Sequence, residues 1–390
     1  MSAFAFHTTP QMIVRPGASG EVADIAGAKL GPNILFVTDK GIRNAGLETS
    51  AIQSLEAAGH SVTIFDAVEA DPSLATLMQA VDTARGCEAT GVVALGGGSS
   101  LDIAKLAALI AGSGEDIDEA WGVANAKGPR LPLVLIPTTA GTGSEATPVS
   151  IITVGGEEKR GVSSPIILPD TAILDAELTV SLPAAATAAT GIDAMVHAIE
   201  AYASRNANNN PISRMLATEA LKLLGANIET AVFSPDNIEA RSAMLLGSTL
   251  AGMAFANSPV AAVHALAYPI GGTFHIPHGL SNALVLPQVL RFNAAEAENG
   301  SYRLYADLCP HAFPNLDQSA GAQAQCAAFI DRLAELSADL GLPTRLRDVG
   351  IGEEALPKMA SDAMLQTRLL VNNPRDLNEA DALAIYKAAW

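Results

Sequence analysis

Cysteine, aromatic residues and positive charge are all scarce in this sequence. Its three cysteines, Cys87, Cys309 and Cys326, lie far apart and in no CxxC pattern, so neither a disulfide framework nor a thiolate metal site is expected. A reducing, cytoplasmic location fits this usage. The chain has 23 Lys and Arg against 41 Asp and Glu, a formal net charge of -18. That balance argues against nucleic acid or an anionic membrane surface as a partner.

Targeting signals and long hydrophobic runs are also missing. The N-terminus lacks the charged start and apolar run of a signal peptide. The most apolar stretch, residues 245–256, is interrupted by small residues and is too short to span a bilayer. What the chain does have is length, 390 residues, and 49% hydrophobic residues. These values exclude disorder and allow two ordinary domains, each with its own core.

The first half of the sequence alternates between strand and helix patterns. Apolar strand runs at 33–38, 61–65 and 91–95 are separated by helical periodicities at 42–59 and 73–85. This alternation predicts a parallel sheet covered on both faces. From residue 181 the strand signals fade. Helical segments then run to residue 390, with predicted interruptions at 206–211, 234–235, 258–259 and 269–277. We therefore expect an α/β, Rossmann-like domain over 1–180 and an all-helical domain over 181–390.

Ligands bind at the carboxyl ends of parallel strands, and three segments there are candidates. Gly96 to Lys105 is glycine-rich and opens a helix, as a phosphate site requires. Alternatively, Ser99 and Asp102 only cap that helix. The loop from Pro137 to Glu145 offers hydroxyls and glycines for ribose or phosphate, although such loops are commonly only turns. Asp39 could accept from a ribose 2′-OH, which favours NAD over NADP, or it could simply be a turn residue or helix cap.

A carboxylate and an imidazole lie one helical turn apart near the middle of the chain. Asp193 and His197 are spaced i, i+4 and can reach a single point, although such a pair is more often a solvated or core contact. A second region brings three more histidines, His264, His275 and His278. One carboxylate oxygen and three imidazoles make a ligand set that suits Fe(II) or Zn(II) and leaves a position for an alcohol or carbonyl oxygen.

The order of these segments resembles the iron-containing, or group III, alcohol dehydrogenases. The residues that carry the resemblance are Gly96-Gly97-Gly98-Ser99-x-x-Asp102-x-x-Lys105, Pro137-Thr138-Thr139-x-Gly141-Thr142-Gly143-Ser144-Glu145, Gly191-Ile192-Asp193-Ala194-x-x-His197-x-x-Glu200, His264, and Pro277-His278-Gly279. They keep the family's motif order over nearly the whole chain.

The resemblance implies a dehydroquinate synthase-like architecture, with an NAD(P)-binding α/β domain, an all-helical domain carrying the metal, and a substrate cleft between them. By position, the implied metal ligands are Asp193, His197, His264 and His278. The implied cofactor contacts include Asp39, Gly97, Gly98, Ser99, Asp102, Thr138, Thr139, Thr142 and Lys159.

Two positions depart from the family pattern. Family members often have a second histidine one turn after His264, near the substrate, where it helps to relay the proton. This chain has Tyr268 there, and a phenol, with a reference pKa of about 10, is a far weaker base near neutral pH. His275 is the alternative relay. The other departure is Ser100 in place of a frequent proline, which changes only the first helical turn.

The expected activity is reversible, metal-dependent, NAD-linked oxidation of a small primary or short-chain alcohol to its aldehyde or ketone. Alternatives with the same fold are a metal-independent maleylacetate reductase and a zinc-dependent polyol dehydrogenase. A dehydroquinate synthase is disfavoured because no cluster of basic groups for a substrate phosphate is evident. From another class, the chain could be a catalytically silent nucleotide-binding protein. A homodimer is compatible with the sequence.

Overall fold

The computed structural model describes residues 3–155, 158–296 and 300–390. Within these ranges the chain forms two compact units, which divide between Ser181 and Leu182. Residues 3–6 belong to the C-terminal unit, where the Ala5 N–H donates to Oδ1 of Asn208 at 2.9 Å.

The N-terminal unit is built on a six-stranded parallel sheet with the order β1-β9-β6-β4-β2-β3, and a second sheet has the order β5-β8-β7. The strands are β1 (Gln11–Val14), β2 (Asn33–Val37), β3 (Ser61–Phe65), β4 (Gly91–Gly96), β5 (Gly122–Val123), β6 (Leu133–Pro137), β7 (Val149–Val154), β8 (Glu158–Ser163) and β9 (Thr171–Leu174).

The chain crosses β2 on its way from β3 to β4, so the strand order reverses between β2 and β4. The carboxyl ends of strands on either side of such a reversal form a crevice for ligands. The sequence-based prediction of a parallel α/β sheet is confirmed.

Helices cover both faces of the large sheet. They are α1 (Ala28–Leu30), α2 (Lys40–Ala45), α3 (Thr49–Ala57), α4 (Leu74–Gly86), α5 (Gly98–Ser113) and α6 (Ile117–Ala120). Along β2, Leu35 and Val37 pack in one core with residues of α4 and α5, while Ile34 and Phe36 pack on the opposite face with residues of α3. This two-sided burial explains the continuous apolar runs of the strands.

The C-terminal unit is entirely helical over its described residues. Its helices are α7 (Ala184–Ala203), α8 (Pro211–Phe233), α9 (Ile238–Asn257), α10 (Ala262–Phe274), α11 (His278–Ala294), α12 (Ser301–Ala312), α13 (Ala322–Asp339), α14 (Leu356–Ala363), α15 (Thr367–Leu370) and α16 (Glu379–Ala389). Helix α7 packs against α8, α9 and α11, and α10 packs against α11 and α14.

Two predicted helix boundaries were wrong. The helix expected over 42–59 is divided into α2 and α3, because Gly46 takes the left-handed conformation that ends α2. The interruption expected across 269–277 begins only at His275, because α10 continues through Pro269. A proline inside a helix removes one backbone hydrogen bond. Burial of Pro269 and of most of α10 offsets this loss.

None of the described helices is long and apolar enough to cross a membrane by itself. Among the helices that the structure describes, one pair reaches the required length together, α9 with α10, and it is bent by 108° at the break between them.

Candidate active site

Three helices of the C-terminal unit bring four ligand-type side chains together. Asp193 and His197 lie on α7, His264 lies in the first turn of α10, and His278 is the first residue of α11. Each offers one ligand atom, and these atoms all lie within 4.8 Å of one another. His275 is outside this group. It is exposed at the left-handed position that ends α10, where its backbone N–H donates to the Gly271 carbonyl oxygen.

A glycine allows α11 to approach α7 closely enough for this arrangement. A Cβ atom placed on Gly279 would lie 2.4 Å from the Ala189 carbonyl oxygen and 3.2 Å from Cβ of Asp193. Any larger residue would push the start of α11 away from α7. Gly279 therefore fixes the position of His278, whose Nε2 is 3.7 Å from Oδ1 of Asp193.

The four side chains differ in their access to solvent. Asp193, His197 and His264 are buried, whereas the side chain of His278 is 45% exposed. The His197 ring stacks between Phe255, at a centroid distance of 4.5 Å, and His264, at 4.7 Å. The group is thus closed to solvent on the His197 side and open to solvent on the His278 side.

Glu200 orients the most enclosed of the three rings. Its Oε2 lies 2.6 Å from Nδ1 of His264, and its Oε1 accepts from the Val263 N–H at 2.7 Å. Because a carboxylate can only accept, the proton of His264 lies on Nδ1 and the Nε2 lone pair is directed into the group. A carboxylate on the distal nitrogen is the usual support for a metal-binding histidine.

The charge on Asp193 is favoured by its neighbours. Burial alone would raise the pKa of this carboxyl. The rings of His197, His278 and His264 and the amide of Asn282 outweigh that effect, so the pKa lies below its usual value. An ionised oxygen and three nitrogens, with no thiolate, fit a borderline divalent cation such as Fe(II) or Zn(II).

Tyr268 lies one turn after His264 on α10, beside the open side of the group. Its ring centroid is 6.4 Å from that of His278, and its hydroxyl accepts from Nη2 of Arg368 at 3.1 Å.

In the N-terminal unit, the loops after β4 and β6 meet at the start of α5. A Cβ atom on Gly98 would lie 2.8 Å from Cγ2 of Thr142, and one on Gly97 would lie 3.8 Å from Cγ2 of Thr139. No side chain caps α5, whose N-cap residue is Gly97. The first N–H groups of a helix without a side-chain cap remain available to an anion.

The alternative role of Ser99 and Asp102 as a helix cap was therefore wrong. Asp102 instead accepts from the Ser144 hydroxyl at 2.6 Å and from the Ile151 N–H at 2.9 Å, which ties α5 to the loop after β6. Thr138, the first residue of that loop, is buried, and its N–H donates to the Gly96 carbonyl oxygen.

Asp39 follows β2, on the other side of the reversal in strand order. Its Oδ1 caps α2 by accepting from the Ile42 N–H at 3.0 Å, and its Oδ2 lies 3.5 Å from the hydroxyl of Ser100 on α5. Lys159, another candidate cofactor contact, lies on β8. Its Nζ donates to Asp71 at 2.6 Å and to Thr153 at 3.0 Å.

The sequence analysis gave no role to two residues that contact the candidate ligands, Glu200 and Asn282. Glu200 lies seven residues after Asp193, on the same helical face, and that spacing could have indicated it. Asn282 lies one turn after His278 and donates through Nδ2 to Oδ1 of Asp193 at 2.6 Å.

Comparisons with known proteins cover both units of the chain. Residues 9–176 match the family model described as iron-containing alcohol dehydrogenase, and residues 187–390 match the C-terminal model of the Fe-containing alcohol dehydrogenase family. The chain belongs to the iron-containing alcohol dehydrogenase family. It is thus an iron-type alcohol dehydrogenase, an oxidoreductase acting on CH–OH groups, as the resemblance implied.

Individual relatives extend over nearly the whole chain. Long-chain-alcohol dehydrogenase 1 of Geobacillus thermodenitrificans is 41% identical over 361 residues, which cover 92% of this chain and 89% of the relative. A 1,3-propanediol oxidoreductase structure superposes with a TM-score of 0.94 at 34% identity and 100% coverage of both chains. A sulfoacetaldehyde reductase from Bifidobacterium kashiwanohense, solved in complex with NAD⁺, gives a TM-score of 0.86 at 28% identity, covering 100% of this chain and 99% of the other.

Proposed function

We propose that this enzyme uses NAD and a divalent cation, Fe(II) or Zn(II), to interconvert a small primary or short-chain alcohol and its carbonyl compound. The convergence of Asp193, His197, His264 and His278 within 4.8 Å carries the proposal. Held by these four side chains, such a cation would polarise the alcohol oxygen and lower its pKa, and NAD would accept the hydride.

The ligand side chains have distinct tasks in this proposal. Asp193 supplies the negative charge that favours a cation, and Glu200 keeps the Nε2 lone pair of His264 directed inward. His278 borders the open side, where an alcohol would enter.

The cofactor is assigned to the loops at the start of α5. Gly97, Gly98 and Ser99 would present backbone N–H groups to the pyrophosphate, because that helix start has no side-chain cap. Thr138, Thr139 and Thr142 would contribute hydroxyls from the facing loop. In this assignment Asp102 contributes to the cofactor site indirectly, by accepting the hydrogen bond that holds Ser144 in the loop after β6. Lys159 contributes through its ion pair with Asp71.

Asp39 supports NAD over NADP. Its Oδ2 is directed toward the start of α5, where it would accept from a ribose 2′-OH and repel a 2′-phosphate. The NAD⁺ complex of the Bifidobacterium relative is consistent with this choice.

For the proton, Tyr268 is the better supported relay. Its ring lies beside His278, whereas His275 is exposed and outside the ligand group. The names of the relatives, a long-chain-alcohol dehydrogenase, a 1,3-propanediol oxidoreductase and a sulfoacetaldehyde reductase, support an alcohol or aldehyde as the substrate.

The decisive experiment compares metal-free and metal-loaded protein. Protein treated with a chelator and verified by metal analysis should lose alcohol oxidation, and Fe(II) or Zn(II) should restore it, with the absorbance of the reduced nicotinamide as readout. Full activity in the metal-free preparation would refute the metal-dependent proposal and favour a maleylacetate reductase-like enzyme. NAD binding without turnover across a panel of alcohols, polyols and aldehydes would favour a catalytically silent protein.

A further inference from the structure

One amide side chain lies among the candidate metal ligands. Asn282 is 0% exposed, and its Nδ2 is 2.6 Å from Oδ1 of Asp193 and 3.3 Å from Nε2 of both His264 and His278. It is one turn after His278 on α11, so the two side chains lie on one helical face. Asn282 thus contacts three of the four candidate ligands.

The contacts determine which way this amide faces. Oδ1 of Asn282 is buried and has no hydrogen-bond partner among the residues the structure describes. Turning the amide over would place that oxygen against the carboxylate of Asp193 and the unprotonated Nε2 of His264, neither of which can donate. The charge-assisted hydrogen bond to Asp193 therefore keeps the NH₂ group facing the candidate ligands, although this leaves Oδ1 without a hydrogen bond among the described residues.

We propose that Asn282 is a positioning residue of the metal centre. Its NH₂ group holds the Asp193 carboxylate in place and limits the mutual repulsion of lone pairs that converge before a cation arrives. This inference rests on the metal site of the proposed function. In this inference Asn282 increases the affinity for the metal by positioning its ligands and does not itself bind the metal.

The experiment titrates metal-free protein with Co(II) and follows its ligand-field absorption. The test variants are Asn282→Leu, which keeps the number and branching of the side-chain heavy atoms, and Asn282→Ala in case the first does not fold. The matched control is Asn293→Leu. Asn293 is also buried on α11, but its amide is bonded to Tyr305 and Asn373.

We expect the Asn282 variants to bind Co(II) about 10 to 100 times more weakly than the parent, the usual loss when a group supporting a metal ligand is removed. Their ligand-field spectrum should also change. Asn293→Leu should lower thermal stability but leave the Co(II) dissociation constant within about twofold, because its contacts do not reach the ligands.

Either of two results would overturn the role of Asn282 without affecting the proposed metal centre. One is an Asn282 variant with the parent's Co(II) affinity and spectrum. The other is an equal loss of affinity in Asn293→Leu, which would indicate general destabilisation of α11. A parent protein that binds no Co(II), Fe(II) or Zn(II) would instead overturn the metal centre of the proposed function.

Discussion

The cofactor preference of this enzyme can be tested at Asp39 without disturbing the helix that Asp39 caps. Replacement by glycine would remove the charge, the acceptor oxygen and the cap of α2 together. Asp39→Asn keeps the cap of α2, because asparagine is as good an N-cap residue as aspartate, and it replaces the charged Oδ2 with a neutral NH₂ group. Its amide oxygen can still accept from the Ile42 N–H, so a change in cofactor preference would report the loss of the charged acceptor Oδ2 and not a disturbed α2.

The expected effect follows from the position of Oδ2. Two unit charges 4 Å apart interact by about 1 kcal/mol in bulk water and by about 4 kcal/mol at an effective dielectric constant of about 20. Asp39 is partly exposed, so the lower part of that range applies. If the substitution removes about 1 to 2 kcal/mol of repulsion between Asp39 and the 2′-phosphate of NADP, kcat/KM for NADP relative to NAD should rise roughly 5- to 30-fold.

The assay measures kcat/KM separately with NAD and with NADP, using the same series of alcohol concentrations for both. The readout is the absorbance of the reduced nicotinamide. Asp82→Asn on α4 is the matched control, because Asp82 is exposed and its replacement makes the same change in net charge. An Asp39→Asn ratio within about twofold of both the parent and the control would show that Asp39 does not face the cofactor ribose.

Two further predictions concern the metal-binding unit. Glu200→Gln should weaken metal affinity by about 10- to 100-fold, because the neutral amide supports Nδ1 of His264 less well than a carboxylate does, and a chelator competition assay would show it. Parent-like affinity would remove Glu200 from the metal site. Tyr268→Phe should lower kcat on the order of a hundredfold with little change in KM if the phenol relays the proton. An unchanged kcat would leave that task to water or to His275.

The sheet was predictable because its signal is local. The strands at the centre of the large sheet are buried on both faces, so each appears in the sequence as an unbroken apolar run between turn residues. Errors arose where a single residue decided the backbone. Gly46 divides a segment that looked like one helix, and Pro269 lies in a helix that packing maintains.

The metal group was only partly predictable. Asp193 and His197 follow from their i, i+4 spacing, but the convergence of α10 and α11 on α7 depends on packing between distant segments. The close approach at Gly279 is an example, since nothing local distinguishes that glycine from one in an ordinary turn. The resemblance supplied what the spacing could not, namely that His264 and His278 complete the set and His275 does not.

Lys105 shows why a residue in a cofactor-type sequence pattern need not touch a cofactor. Its side chain is 0% exposed, and Nζ donates to Ser144 at 2.7 Å and to the Val149 carbonyl oxygen at 2.7 Å. Burial lowers its pKa despite the nearby charges of Asp102 and Glu145. A buried ammonium group is costly unless its donors are satisfied, and here the hydrogen bonds to Ser144, Thr147 and Val149 hold the segment after β6 against α5. In the Gly96–Lys105 segment, the charged residues fix the loop after β6 against α5, and the proposed cofactor contacts are left to the glycines.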